Sequence, residues 1–391
     1  MKFLASLSFL ALHTLFDLVS ATNSTQTCTS IEVRKEWRNL TAVERKAWIE
    51  AVNCLNTRPR SGKLNPPLNT VVDYSEIYDQ IAPVTENSTY YDDFVYAHMD
   101  LNPVIHFTGL FFPWHRLYVH EWTNALRSEC GYTAWEKGEY FITQCDPCLM
   151  IPAVQTLPIL RITQCGTRIP PDWAVSAIPT MTTHSKPEDS TSHSLIQCKS
   201  TYPSLKLNTH PIWYSAHKLR RQYRPYPGFS GSSNVSANST FSQAQVDILL
   251  SRPEGNLTAF QEYMEQIVGM HSAIHGIIGG DLAGLCPKGS SNTSACPTEG
   301  APTFSANEPM FHMHHGNVDR LWWLWQEKSQ TNKGAFHGGS VQNMSALAAY
   351  PNGQAPWLNK TSLIPTAGMY ESYSIGQVMD TRSWPLCYVY E

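Results

Sequence analysis

Two groups of histidines constrain this chain more than any other feature. His98, His106 and His115 form the first group, and His271, His275 and His315 the second. Three neutral imidazoles suit one copper ion and leave a coordination position open for oxygen. A fold that serves both groups must bring together segments far apart in sequence, and two such sites facing each other can hold dioxygen between two metals. Seven residues separate His98 from His106 and eight separate His106 from His115, so residues from two helices can converge across a short loop. His271 and His275 are four apart and share a helix face. Any one of these histidines alone would read as a surface or satisfied core residue; the six together carry the argument.

Hydrophobic periodicity around the groups is helical. Val33, Trp37, Leu40, Trp48, Val52 and Leu55 predict a helix over residues 29–56, with a Thr41-x-x-Glu44 capping box where it restarts. Residues 88–101 and 114–128 read as helices, the second ending at Gly131. Residues 241–250, 256–276 and 317–328 are further helices. Gly279-Gly280 and residues 297–309 read as loops, and the tail from Gly334 as loops and short strands. The predicted class is mainly α: a four-helix-bundle core around a metal pair, with long loops and a few short strands.

Net charge is −4, which gives no reason to expect nucleic acid or an anionic membrane as partner. Residues 1–21 read as a secretory signal, with Lys2, an apolar run from Phe3 to Val19, and a Val19-Ser20-Ala21 cleavage site. Nine Asn-x-Ser/Thr sequons, at Asn23, Asn39, Asn87, Asn234, Asn238, Asn256, Asn292, Asn343 and Asn359, agree with a secreted glycoprotein. Ten cysteines are then expected to be mostly paired.

The run His106-Phe-Thr-Gly-Leu-Phe-Phe-Pro-Trp-His115-Arg and the run Glu308-Pro309-Met-Phe311-His-Met-His-His315-Gly-Asn-Val-Asp319-Arg-Leu-Trp resemble the type-3 copper family of tyrosinases, catechol oxidases and hemocyanins. The resemblance is strongest to short secreted fungal catechol oxidases and o-aminophenol oxidases, over residues 28–133 and 229–391. It implies two copper ions held by His98, His106, His115, His271, His275 and His315, with the second histidine of the His314-His315 pair as ligand. His312 and His314 are then extra, and His120, His184, His193, His210, His217 and His337 are non-ligands. It also implies that an o-diphenol or o-aminophenol gives up two electrons to form an o-quinone or quinone imine, while dioxygen is reduced to water. Monophenol hydroxylation in the family goes with an Asn after the first histidine of the second group and with a Glu that holds a water. Here Ser272 takes the Asn position, and Glu262 lies nine residues before His271 at the Glu position. Weak monophenolase activity follows. Val104 stands where many members carry a cysteine cross-linked to the second histidine, which leaves His106 without that tether. Asp319 is expected to orient a histidine or cap packing beside it, and Arg116 and Arg320 to form structural ion pairs.

Residues 22–391 thus read as a single copper domain, with residues 135–227 anomalous. Where the family continues into Pro-Tyr-Trp-Asp-Trp, this chain has Trp135-Glu-Lys-Gly-Glu-Tyr-Phe-Ile-Thr-Gln-Cys, then a basic, proline-rich stretch without helical periodicity. A retained intron or out-of-frame exon is one reading of it, since Gly138-Glu139-Tyr140 can be encoded across a splice-donor sequence. A surface insertion is the other, although long structureless loops are uncommon in compact domains. The alternatives for function are a catalytically impaired or mis-spliced product and, less favoured, an oxygen carrier. Zinc hydrolysis is disfavoured because neither group contains HExxH.

Overall fold

A computed structural model of the chain describes residues 26–67, 84, 86–133, 140–142, 208–209, 217–218, 240, 242–279, 282 and 302–391. The signal segment and nearly all of residues 135–227 lie outside the described residues. So do Cys145, Cys148, Cys165, Cys198, Cys286 and Cys296.

The fold is mainly helical. Helix α1 (Ala42–Leu55) starts at the predicted capping box: Thr41 Oγ1 accepts from the Glu44 N–H, and the Glu44 carboxylate accepts from the Thr41 N–H. Helix α2 (Tyr90–Ile105) starts at a second box, Thr89 with Asp92. Pro103 in its last turn removes a backbone donor, and α2 closes at His106. Helix α3 (Phe111–Cys130) tolerates Pro113 because first-turn N–H groups have no intrahelical acceptor. It stops where expected, with Gly131 in the left-handed conformation at φ 63°.

Helix α4 (Gln243–Leu250) leads to α5 (Leu257–Glu265) and α6 (Met270–Ile278). The helix predicted over 256–276 is therefore broken at residues 266–269, which turns the face of α6 relative to α5. Helix α7 (Met310–Gln326) begins seven residues earlier than expected, and a short α8 (Gln330–Gly334) follows. Among the described residues no helix is long and apolar enough to cross a membrane.

The helix predicted from residue 29 is corrected at its first half. Residues Glu32–Glu36 form strand β1, and Trp37–Asn39 a single 3₁₀ turn. Strand β1 pairs in parallel with β2 (Tyr140–Ile142) on one side and with β7 (Tyr388–Tyr390) on the other. The helical reading rested on the spacing of Val33, Trp37 and Leu40, whereas the side chain that β1 buries is that of Arg34. Two small ladders complete the strands, β3 (Asn208–Thr209) with β4 (His217–Lys218) and β5 (Gly339–Val341) with β6 (Gln354–Trp357). Disulfides Cys28–Cys387 and Cys54–Cys130 tie β1 to the β7 segment and α1 to α3.

The core lies among α1, α2, α3, α5, α6 and α7, with Trp48, Trp114, Trp122, Trp322 and Trp325 almost wholly buried. Those tryptophans fill volume between helices, as their helical spacing predicts. Helix α3 packs directly on α7, and that contact brings the two histidine groups together.

Candidate metal centre

The first group is assembled from two consecutive helices. His98 projects from α2, His106 caps its C-terminus, and His115 sits in the second turn of α3. Their ring centroids lie 5.3 Å (His98–His106), 5.8 Å (His98–His115) and 5.0 Å (His106–His115) apart. The second group joins His271 and His275 of α6, 5.1 Å apart, to His315 of α7, 5.1 Å from His271. Within each group, ring nitrogens from every histidine lie within 4.8 Å of one another. The groups meet where His115 and His315 stack in parallel, at 4.0 Å and 9°.

The second group contains one more imidazole than expected. His314 lies 5.3 Å from His271 and 5.4 Å from His275, and it belongs to the same cluster. Adjacent residues on a helix point about 100° apart, so spacing alone gave no sign that both would reach the cluster. His312 goes elsewhere, stacking on Trp122 at 3.8 Å and on Tyr118 at 5.7 Å.

Backbone carbonyls orient several rings. Nδ1 of His106 faces Asn102 O at 3.2 Å, that of His115 faces Phe111 O at 2.7 Å, and that of His275 faces Leu282 O at 3.0 Å. A carbonyl only accepts, so each Nδ1 carries the proton and each Nε2 keeps its lone pair for a metal. Burial, above all, holds the imidazoles neutral: His106 is pushed down to about 3 and His275 to about 4. His115, His271, His314 and His315 are driven well below the usual range by burial first and by neighbouring histidines second.

Apolar rings wall the centre. Phe111 lies 5.1 Å from His115 and 4.9 Å from His271, and Phe311 lies 4.7 Å from His98 and 4.3 Å from His315. Phe112 instead packs on Phe260 and Trp322 and is core.

Glu262 sits on the exposed face of α5, whereas Glu265, one turn on, is buried. The break between α5 and α6 resets the helical phase, so the position nine residues before His271 falls on the outer face of α5. Glu265 Oε1 accepts from the Phe107 N–H at 2.6 Å, and Oε2 accepts from Gln261 Nε2 at 2.8 Å. Burial pushes its carboxyl well above the usual range against the pull of both hydrogen bonds. Ser272 is half-buried beside the group, its hydroxyl donating to Glu265 O at 3.5 Å.

Among the described residues Asp319 bonds to no histidine. Its carboxylate accepts from Arg116 Nε at 2.5 Å and from the hydroxyls of Tyr388 and Tyr390, with Arg34 at 3.7 Å. Arg116 also donates to Val378 O, Met379 O and Gln326 Oε1, and it lies over the Trp322 ring. Arg116 thus forms the ion pair expected of it. Its partner and the two tyrosines were not legible, because they come from helices and strands remote in sequence.

The donor set fits copper. His115 Nε2 and both ring nitrogens of His271 and His315 are buried without a hydrogen-bond partner. Buried polar atoms left this way are costly unless something else satisfies them. All-imidazole sets suit copper, and two of them in contact suit a metal pair.

The comparisons agree with this geometry. Residues 88–328 match the family model described as the common central domain of tyrosinase. The tyrosinase-like protein phomQ1' of Diaporthe leptostromiformis is 28% identical over 374 residues, covering 95% of this chain and 83% of that protein. The N-acetyl-6-hydroxytryptophan oxidase ivoB of Emericella nidulans is 25% identical, covering 92% of each chain. Among solved structures, a polyphenol oxidase (mutant G292N) from Thermothelomyces thermophila superposes with a TM-score of 0.53 at 21% identity, over 92% of this chain and 89% of that one, which speaks for the fold. With the matched stretch running from the start of α2 through α7 and spanning both histidine groups, the chain belongs to the tyrosinase family, copper-dependent oxidoreductases that carry a pair of copper ions.

Proposed function

We propose that this protein is a secreted oxidase that converts o-diphenols, or o-aminophenols, to o-quinones or quinone imines, with weak activity on monophenols. The observation that carries the reading is the pair of buried imidazole groups in contact through His115 and His315. His98, His106 and His115 are assigned to one copper, and His271, His275 and His315 to the other. When bound, the copper pair supplies two-electron oxidation by dioxygen.

The chain's own residues prepare that chemistry. Backbone carbonyls of Asn102, Phe111 and Leu282 hold three imidazoles in the tautomer that presents Nε2. Phe111 and Phe311 set apolar rings against histidines of both groups, which favours a flat aromatic substrate. Ser272 is engaged by a backbone carbonyl and offers no amide to hold a water as a proton acceptor. A catechol, whose hydroxyl is the easier to deprotonate, needs that help less than a monophenol. The name of the Emericella relative points to another hydroxylated aromatic, which supports a phenolic substrate class without choosing its member.

Secretion is supported by the leader-like residues 1–21 and by the exposure of Asn39, Asn87, Asn256 and Asn359, four of the sequon asparagines. The test uses copper-supplied protein purified from culture medium. Two coppers per chain, with catechol or 2-aminophenol oxidised faster than tyrosine, is the expected result. Dioxygen bound reversibly with no turnover of either substrate would overturn it in favour of a carrier. Protein retained inside the cell would overturn the secreted assignment.

A further inference from the structure

The four residues that follow the C-terminal turn of α2 are each held from outside α2 and α3. Gln342 Nε2 donates to His106 O at 3.0 Å. The Phe107 N–H donates to Glu265 Oε1 at 2.6 Å. Gln261 Nε2 donates to Thr108 O at 2.7 Å and to Glu265 Oε2 at 2.8 Å. The Gly109 N–H donates to Gly339 O at 2.9 Å, and a Cβ on Gly338 would come within 2.3 Å of Gly109 Cα. Phe107 adopts φ 53°, a left-handed conformation that a bulky non-glycine residue keeps only where its surroundings impose it. Gln261 and Glu265 stand one turn apart on α5 and are both buried, so their side chains form a rigid ledge under the loop.

We propose that Glu265 is a positioning residue for the first copper, clamping the Phe107 backbone with Gln261 while Gln342 holds the His106 carbonyl, so that the His106 ring is aimed without a covalent tether. His106 sits at a helix end, where backbone freedom is greatest, and Val104 cannot form a side-chain cross-link. Among the described residues its ring meets one backbone acceptor, Asn102 O, within the same helix. The clamp supplies the restraint from elsewhere, and it couples α5, which leads into the second group, to a ligand of the first. His106 is therefore less mobile than the loss of a tether suggests.

The inference rests on His106 being a copper ligand, and the experiment separates the two. Copper release from the holoenzyme to a chelator is followed as equivalents per chain, for wild type, Glu265→Leu, Glu265→Gln, Gln342→Ala and Glu262→Gln. In Glu265→Leu and Gln342→Ala, one equivalent is expected to leave roughly tenfold faster or more, with the other unchanged. Glu265→Gln, whose amide oxygen still accepts from Phe107, restores most of the retention, and Glu262→Gln matches wild type. Gln342 is only half-buried, so its variant reads the clamp even where Glu265→Leu does not fold. Release of both equivalents accelerated alike, or of neither, overturns the clamp. His106→Gln is the control: if it keeps both coppers, the ligand assignment fails; if it loses one while the clamp variants behave as wild type, the clamp alone fails.

Discussion

Asp319 of α7 and Arg116 of α3 form a buried ion pair at 2.5 Å, and each lies beside a histidine of a different group. Arg116 directly follows His115, and Asp319 is one turn beyond His315. The pair therefore sets the packing of the two helices whose imidazoles stack across the centre. Asp319→Ala would leave Arg116 buried without the carboxylate it pairs with. Breaking a buried pair on one side costs about 3–5 kcal/mol. Chemical unfolding of Asp319→Ala should show a loss of that size, together with lower copper content. A change under about 1 kcal/mol would show that the pair is not coupled to the fold in this way.

His314 and His315 both reach the second group, yet one copper with an open position needs only three imidazoles. His315, stacked on His115, is assigned as the ligand, and His314, lying against His271 and His275, as a neighbour. His315→Gln should bind about one copper fewer per chain, and His314→Gln should retain both. Metal analysis of the two variants decides, and the reversed pattern exchanges the roles.

Ser272→Asn places an amide beside the second group. The ratio of tyrosine to catechol turnover should rise by roughly tenfold or more as a monophenol gains help with its proton. An unchanged ratio would remove Ser272 from the account of weak monophenolase activity. Glu262→Gln, on the exposed face of α5, should leave both rates as they are.

The imidazoles predict an acid-labile fold in copper-free protein. An unfolded histidine titrates near 6.5, whereas His106 titrates at about 3 and His275 at about 4 in the folded chain. Above pH 6.5 both states are neutral and stability does not depend on these groups. Below it the unfolded chain takes up protons that the native chain refuses. Stability therefore falls by about 1.4 kcal/mol per pH unit for each such histidine, until the folded value is reached. Melting temperatures of copper-free protein taken from pH 8 to pH 4 should be flat at first and then drop. A flat profile throughout would show that the histidines are not buried neutral.

Much of the frame was legible because its signals are local. The capping box at Thr41, the stop at Gly131, the tryptophan-rich faces of α3 and α7, and the two histidine groups all depend on residues within a turn or two. What escaped depends on distant partners. Strand β1 looked helical because Val33, Trp37 and Leu40 have helical spacing, whereas its true partners, the β7 strand and the Asp319, Tyr388 and Tyr390 side chains around Arg34, are remote in sequence. The exposure of Glu262 and the burial of Glu265 escaped because a fixed spacing ignores the break at residues 266–269. The reach of His314 follows from how α7 docks, which no periodicity encodes.

The tyrosines of β7 meet Asp319, and Asp319 sits a turn from His315. A ribosome building this chain makes both histidine groups well before it makes Tyr388 and Tyr390. Until those two hydroxyls arrive, the carboxylate behind the second group lacks two of its donors and β1 lacks the partner strand that Cys28–Cys387 later secures. Firm metal retention thus depends on strand β7, and removing Tyr388–Tyr390 would loosen copper from a distance.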